Sequence, residues 1–99
     1  MESGYDIFWT DLALEELEAT IEYLEVRFSD KEIQRLAKEI ERITELISHN
    51  PNLFPLSDKK KVRKVVILRF NSLYYRVEEN QIQILSFFSN RQSPETRKI

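Results

Sequence analysis

"VRKVVILRFNSLYYRVEENQIQILSFF", Val62 to Phe88, is the stretch on which the fold turns. It is dense in β-branched and aromatic residues and is interrupted by two asparagine-bearing pairs, Asn71-Ser72 and Glu79-Asn80. Runs of β-formers bounded by turn formers predict strands, and asparagine tolerates the positive φ that tight hairpins demand. The expected arrangement is an antiparallel meander, with strands at Val62–Phe70, Leu73–Glu78 and Gln81–Phe88.

Two-residue turns fix the register, and register decides which side chains share a face. The first turn sets Phe70 opposite Leu73, Leu68 opposite Tyr75 and Val66 opposite Val77. The second sets Val77 opposite Ile82 and Tyr75 opposite Ile84. These apolar pairs form the expected core-facing side. The other side then collects Arg63, Val65, Ile67 and Arg69, with Tyr74, Arg76, Gln83, Leu85 and Phe87. A face mixing guanidinium groups with rings can contact phosphates and stack on bases or aromatic side chains. The bland alternative is that the N-terminal strand, the tail or another chain covers it.

Upstream, "YDIFW" (Tyr5–Trp9) reads as a short strand. "TDLALEELEATIEYLEVRF" then places Leu14, Leu17, Ile21, Leu24 and Phe28 at helical spacing, with Glu15, Glu18, Glu22 and Glu25 off the stripe. Thr10 or Asp11 is the expected cap. Ser29 to Glu32, "SDKE", has the form of a capping box opening a second helix striped by Ile33, Leu36, Ala37, Ile40, Ile43 and Ile47. Asn50, in a left-handed cap, and Pro51 would end it. So short a junction at Ser29 predicts an antiparallel helical hairpin. Residues 51–61, "PNLFPLSDKKK", read as a loop.

Ninety-nine residues suit one domain spanning 1–99. The formal net charge of −2 conceals two unlike halves. Residues 1–50 hold 13 acidic and 5 basic side chains, whereas residues 51–99 hold 4 and 10. The basic half coincides with the predicted sheet, which favours an anionic partner such as nucleic acid, ribosome or an acidic peptide. The run "KKKVRK", Lys59 to Lys64 and headed by Lys59, Lys60 and Lys61, is its densest charge and suits electrostatic steering toward phosphate or an acidic chain. Beyond the last strand, Arg91 lies nearer the sheet than Arg97 and Lys98.

Several chemistries are excluded. Without cysteine there are no disulfides and no thiol nucleophile, which suits a reducing compartment. His49 is the one histidine, at a helix end, so neither a metal site nor a Ser/His/Asp triad can be assembled. Gly4 is the one glycine, which rules out a glycine-rich phosphate loop. No apolar run approaches the roughly 20 residues of a membrane span. The expected location is the cytoplasm, with no cofactor.

The order of strand, helical hairpin and three-strand meander, with "YYRVEENQIQIL" and the closing "NRQSP", resembles the RelE/ParE superfamily of toxins over nearly the whole chain. The resemblance implies an α+β fold and the toxin role of a type II toxin–antitoxin system, a class tied to plasmid stabilisation and growth inhibition. A cognate antitoxin would wrap and neutralise the chain. Two activities occur in the superfamily: RelE-like members cut mRNA on the ribosome, and ParE-like members inhibit DNA gyrase.

Carried onto this sequence, the nuclease pattern is incomplete. Arg63 and Arg91 match basic positions and Tyr74 is the available phenol, but Ser72 stands where those enzymes carry an arginine. No tyrosine or histidine follows Arg91. The resemblance therefore implies a ParE-like toxin that binds rather than cleaves. The runner-up is a ribosome-dependent endonuclease using Arg63, Tyr74 and Arg91; a non-toxic interaction module is the third reading. The expected partner surface is Lys59, Lys60, Lys61, Arg63, Arg69, Tyr74, Arg76, Phe87 and Arg91.

Overall fold

The computed structural model describes residues 4–57 and 61–90. Its elements run β1 (Asp6–Trp9), α1 (Asp11–Arg27), α2 (Asp30–His49), β2 (Arg63–Ile67), β3 (Asn71–Glu78) and β4 (Gln81–Ser89). One sheet forms in the order β1-β4-β3-β2. The meander is antiparallel, as its short turns require, while β1 joins the edge of β4 in parallel, from Asp6 opposite Gln81 to Trp9 opposite Ile84. The architecture is α+β, with both helices contributing to the core on one face of the sheet. The N-terminal strand thus extends the sheet and does not cover its other face.

Both helices start with residues suited to the role, but only one uses its side chain. Thr10 caps α1, its Oγ1 accepting from the Ala13 N–H at 3.3 Å. The same hydroxyl donates to the Ile84 carbonyl at 2.9 Å, so the cap also ties the helix to β4. At α2 the expected capping box does not close: Ser29 makes no side-chain cap bond, and the turn is held by the Glu32 N–H donating to the Ser29 carbonyl at 3.0 Å. Asn50 ends α2 at φ −140°, outside the left-handed region, so that expectation also fails.

The stripe on α2 is largely as read, with Leu36, Ile43 and Ile47 buried, though Ala37 is exposed. On α1 the buried face turns toward Ala13, Thr20 and Leu24, leaving Leu14 and Phe28 at the exposed rim. The cause is close approach: Ala13 and Thr20 are small, so the α1 backbone can settle against β4. Larger side chains at those two places would hold the helix away.

The second hairpin turn falls at Glu79-Asn80 as expected, with the positive φ on Glu79 (53°) and not on the asparagine. The first turn does not fall at Asn71-Ser72. Those residues are the start of β3, and the chain reverses through Leu68, Arg69 and Phe70, with φ of 50° at Leu68 and 69° at Arg69. Val65 now faces Leu73, and Arg63 faces Tyr75. The expected pairs of Phe70 with Leu73, Leu68 with Tyr75 and Val66 with Val77 are displaced by an odd number of residues, which inverts every side chain of β2. Val65 and Ile67 enter the core and Val66 leaves it.

A second irregularity lies between Tyr74 and Tyr75, where β4 passes one extra residue, Leu85. This bulge keeps Tyr75 opposite Ile84 but sets Leu73 opposite Phe87. Phe87 therefore turns inward, 1% exposed, and Phe88 turns out. Beyond Ile84, β1 has ended and the edge of β4 needs another partner. Glu16 of α1 supplies it, its Oε1 accepting from the Phe87 N–H at 2.9 Å and from Ser86 Oγ at 2.8 Å. Glu16→Ala leaves that amide without its acceptor and is expected to cost about 1–3 kcal/mol. Hydrogen exchange at the Phe87 amide should accelerate accordingly; unchanged protection would mean another group holds the bulge.

Candidate functional site

The sheet face turned away from the helices carries the candidate surface. Alternation along each strand brings Phe8, Lys64, Val66, Tyr74, Arg76, Gln83 and Phe88 to this side. Phe8 (50%), Val66 (56%) and Phe88 (43%) expose much of their area, a large apolar share for one face of a small protein. Lys64 lies directly opposite Tyr74, its Nζ 5.9 Å from the ring centroid, at cation–π distance. Arg76 is held by two neighbours: it donates to Gln83 Oε1 at 3.2 Å and pairs with Glu78 at 3.1 Å. Lys64, Tyr74, Leu85 and Phe88 line a groove of about 620 Å³, together with Ser57, Val62 and Ser86.

Arg63 faces the other way. It sits opposite Tyr75 and donates from Nη1 to the Phe54 carbonyl at 2.6 Å, while Tyr75 Oη donates to the Pro51 carbonyl at 2.8 Å. The pair clamps the loop after α2 to the sheet. Burial pushes the Tyr75 phenol above its ordinary pKa, opposed by the Phe54 backbone and by the Arg63 charge. Arg69 belongs to the β2–β3 turn, its guanidinium 5.7 Å from the centroid of the Phe70 ring. Lys61 is exposed ahead of β2.

Of the expected partner surface, the structure brings Tyr74 and Arg76 together on the outer face. It removes Phe87, which is core, and Arg63, which serves the loop; Val65 and Ile67, expected outside, are core as well. Lys59, Lys60 and Arg91 lie outside the described residues. The sequence reading counted Lys64 only in the basic run, and it missed Val66 and Phe88 on this face. One signal for the first two was present: "KVVI" places Val65 and Ile67 both inward only if Lys64 and Val66 point out.

His49 Nδ1 lies 3.3 Å from the Glu45 carbonyl oxygen at the end of α2. Among the described residues, no three His, Asp or Glu side chains gather as metal ligands would. Nor is any described helix long and apolar enough to cross a membrane.

Comparison with known proteins adds three findings. A family model described as the ParE toxin of type II toxin-antitoxin system, parDE, matches residues 7–94. A solved structure described as the chromosomal ParDE TA system from P. aeruginosa is similar in fold, with a TM-score of 0.73 at 22% identity, covering 86% of this chain and 95% of that one. Comparison with curated proteins gives no match.

Proposed function

The chain belongs to the ParE toxin family of type II toxin–antitoxin systems, and from that premise we propose that it stops growth by binding DNA gyrase, without cutting RNA. A cognate antitoxin neutralises it by occupying the outer face of the sheet, and the encounter takes place in the cytoplasm. The observation that carries the binding reading is the separation of Arg63 from Tyr74. Metal-free RNA cleavage needs a base, an acid and charge stabilisation gathered at one phosphate. Arg63 and Tyr74, two of the three residues on which the endonuclease reading rests, lie on opposite faces of the sheet, and Arg63 is committed to the Phe54 carbonyl.

The outer face suits a protein partner. Its exposed apolar side chains and its Lys64–Tyr74 pair match an antitoxin segment that is both acidic and apolar, laid across the strands as a helix or strand. The deciding experiment uses the purified chain in two assays. Inhibition of gyrase supercoiling, with no cleavage of translated mRNA in a toeprint, is the expected result. Specific mRNA cuts that vanish in Arg91→Ala would establish the endonuclease instead. Strong induction that changes neither growth nor supercoiling would leave an interaction module without toxicity.

A further inference from the structure

The other end of the sheet holds a second cavity, of about 360 Å³, between the tip of the helical hairpin and the β2–β3 turn. Its floor is apolar, with Leu24 from α1 and Leu36 from α2. Its polar lining is unusual. Among the described residues the buried polar side chains are Thr20, Asn71, Ser72 and Ser89, and all but Ser72 line this cleft. Thr20 donates to the Glu16 carbonyl and Asn71 Nδ2 to the Ile67 carbonyl at 3.0 Å. Ser89 Oγ is buried and has no hydrogen-bond partner among the described residues. Buried hydroxyls are nearly always paired, so a donor left over in a cavity points to a group that arrives there.

The turn above the cleft is strained. The Phe70 N–H donates to the Leu68 carbonyl at 2.7 Å across Arg69, whose φ is 69°. That is the rare γ-turn geometry of positive φ, following another positive φ at Leu68. Glycine would occupy either position without steric cost. Residues kept in such conformations against their preference are concentrated at ligand clamps and active sites. The strain here carries Arg69 to the rim of the cleft, where Arg35 of α2 also stands. Among the described lining residues Glu32 is the one carboxylate, its Oε1 3.9 Å from Arg35 Nη1. From those residues two guanidinium groups and one carboxylate stand at the mouth, a surround that favours an anion.

We propose that this cleft binds a carboxylate carried on a short apolar stem, the charge meeting Arg69 and Arg35, the oxygen accepting from Ser89 Oγ, and the stem lying on Leu24 and Leu36. The guanidinium groups at the mouth favour an anion, and the apolar floor of Leu24 and Leu36 favours one that carries a stem. Such a group comes either from a small free acid or from an acidic side chain of a peptide. The site is separate from the outer face, and its test does not depend on the identity of the toxin's target.

Titration of the isotopically labelled chain with butyrate, butyramide and the peptide acetyl-Leu-Glu-Leu-amide, followed by amide chemical shifts, tests the proposal. Saturable shifts at Arg69, Phe70, Asn71 and Ser89 are expected with an anionic probe and not with butyramide. Response to butyrate identifies a small free acid as a sufficient ligand, and response to the peptide alone identifies an acidic side chain. Arg69→Gly should weaken binding about tenfold, the scale of one charge-assisted hydrogen bond. Its melting temperature should hold or rise, because glycine relieves the strain. Arg42→Gln, on the exposed side of α2, should bind as the parent does. Equal response to butyramide, no saturable response to either anion, or full affinity in Arg69→Gly would overturn the proposal.

Discussion

Phe87→Ala is expected to lower the free energy of unfolding by about 3–5 kcal/mol, while Phe88→Ala, one residue further on, changes it by less than about 1 kcal/mol. The contrast follows from the bulge at Leu85. Phe87 is 1% exposed and packs against Leu73 and the core, so truncation opens a cavity whose walls relax only in part. Phe88 is 43% exposed on the outer face and leaves no enclosed void. A domain of this length has about 5–15 kcal/mol of total stability, so the first substitution removes a large fraction of it. Urea denaturation of both variants gives the two midpoints directly. If Phe88→Ala were the costlier change, strict alternation from the Glu79-Asn80 turn would hold through β4 and the bulge would be absent. The outer face would then be composed as the uninterrupted register predicts, with Phe87 upon it.

That pair of phenylalanines marks where the sequence stops being legible. The Glu79-Asn80 hairpin could be read because clean alternation on both sides agrees with a two-residue turn, and it sets Tyr75 against Ile84 and Val77 against Ile82. In "ILSFF" apolar residues are adjacent, so the pattern fits two alternations equally well and a bulge is invisible. The β2–β3 turn was hidden for a different reason. Asn71-Ser72 has turn composition, whereas Leu68 and Arg69 hold positive φ without any residue that favours it. A strained turn gives no compositional sign of itself. On α1 the apolar spacing indicated a helix correctly, yet the buried face was chosen by the small residues Ala13 and Thr20, which hydrophobic periodicity does not weigh. The order of elements and the residues that resemble the toxin superfamily survived all of these slips, because they do not depend on which face a side chain takes. The candidate site was more fragile. Tyr74 and Arg76 were placed correctly through the second turn, and Arg63, Val65 and Ile67 were lost through the first.

Tyr74→Ala is expected to weaken the complex with the cognate antitoxin by about 30-fold or more, the scale of a buried aromatic hot spot. Tyr74 lies near the middle of the outer face, between Lys64 on β2 and Ser86 on β4, and helps line the groove. A partner seated there would bury the ring completely and exclude water from the Lys64 contact, which strengthens the cation–π attraction. Tyr74→Phe keeps the ring and should retain most of the affinity. Lys64→Glu should act differently, slowing association in a salt-dependent way, because a charge at the edge of an interface steers the encounter. Arg63→Gln is the informative opposite: it releases the Phe54 carbonyl and lowers stability, but the residue faces away from the partner, so affinity measured on the folded fraction should stay near that of the parent. Isothermal titration, with melting temperatures recorded for each variant, separates binding from folding. Full affinity in Tyr74→Ala, alongside loss of affinity in a folded Arg63→Gln, would place the interface on the loop side of the sheet. The same Tyr74→Ala chain, induced without antitoxin, should also lose growth arrest if target and antitoxin compete for one face. Retained arrest with lost neutralisation would instead assign the outer face to the antitoxin alone, since a surface used by only one partner can be disabled without touching the other.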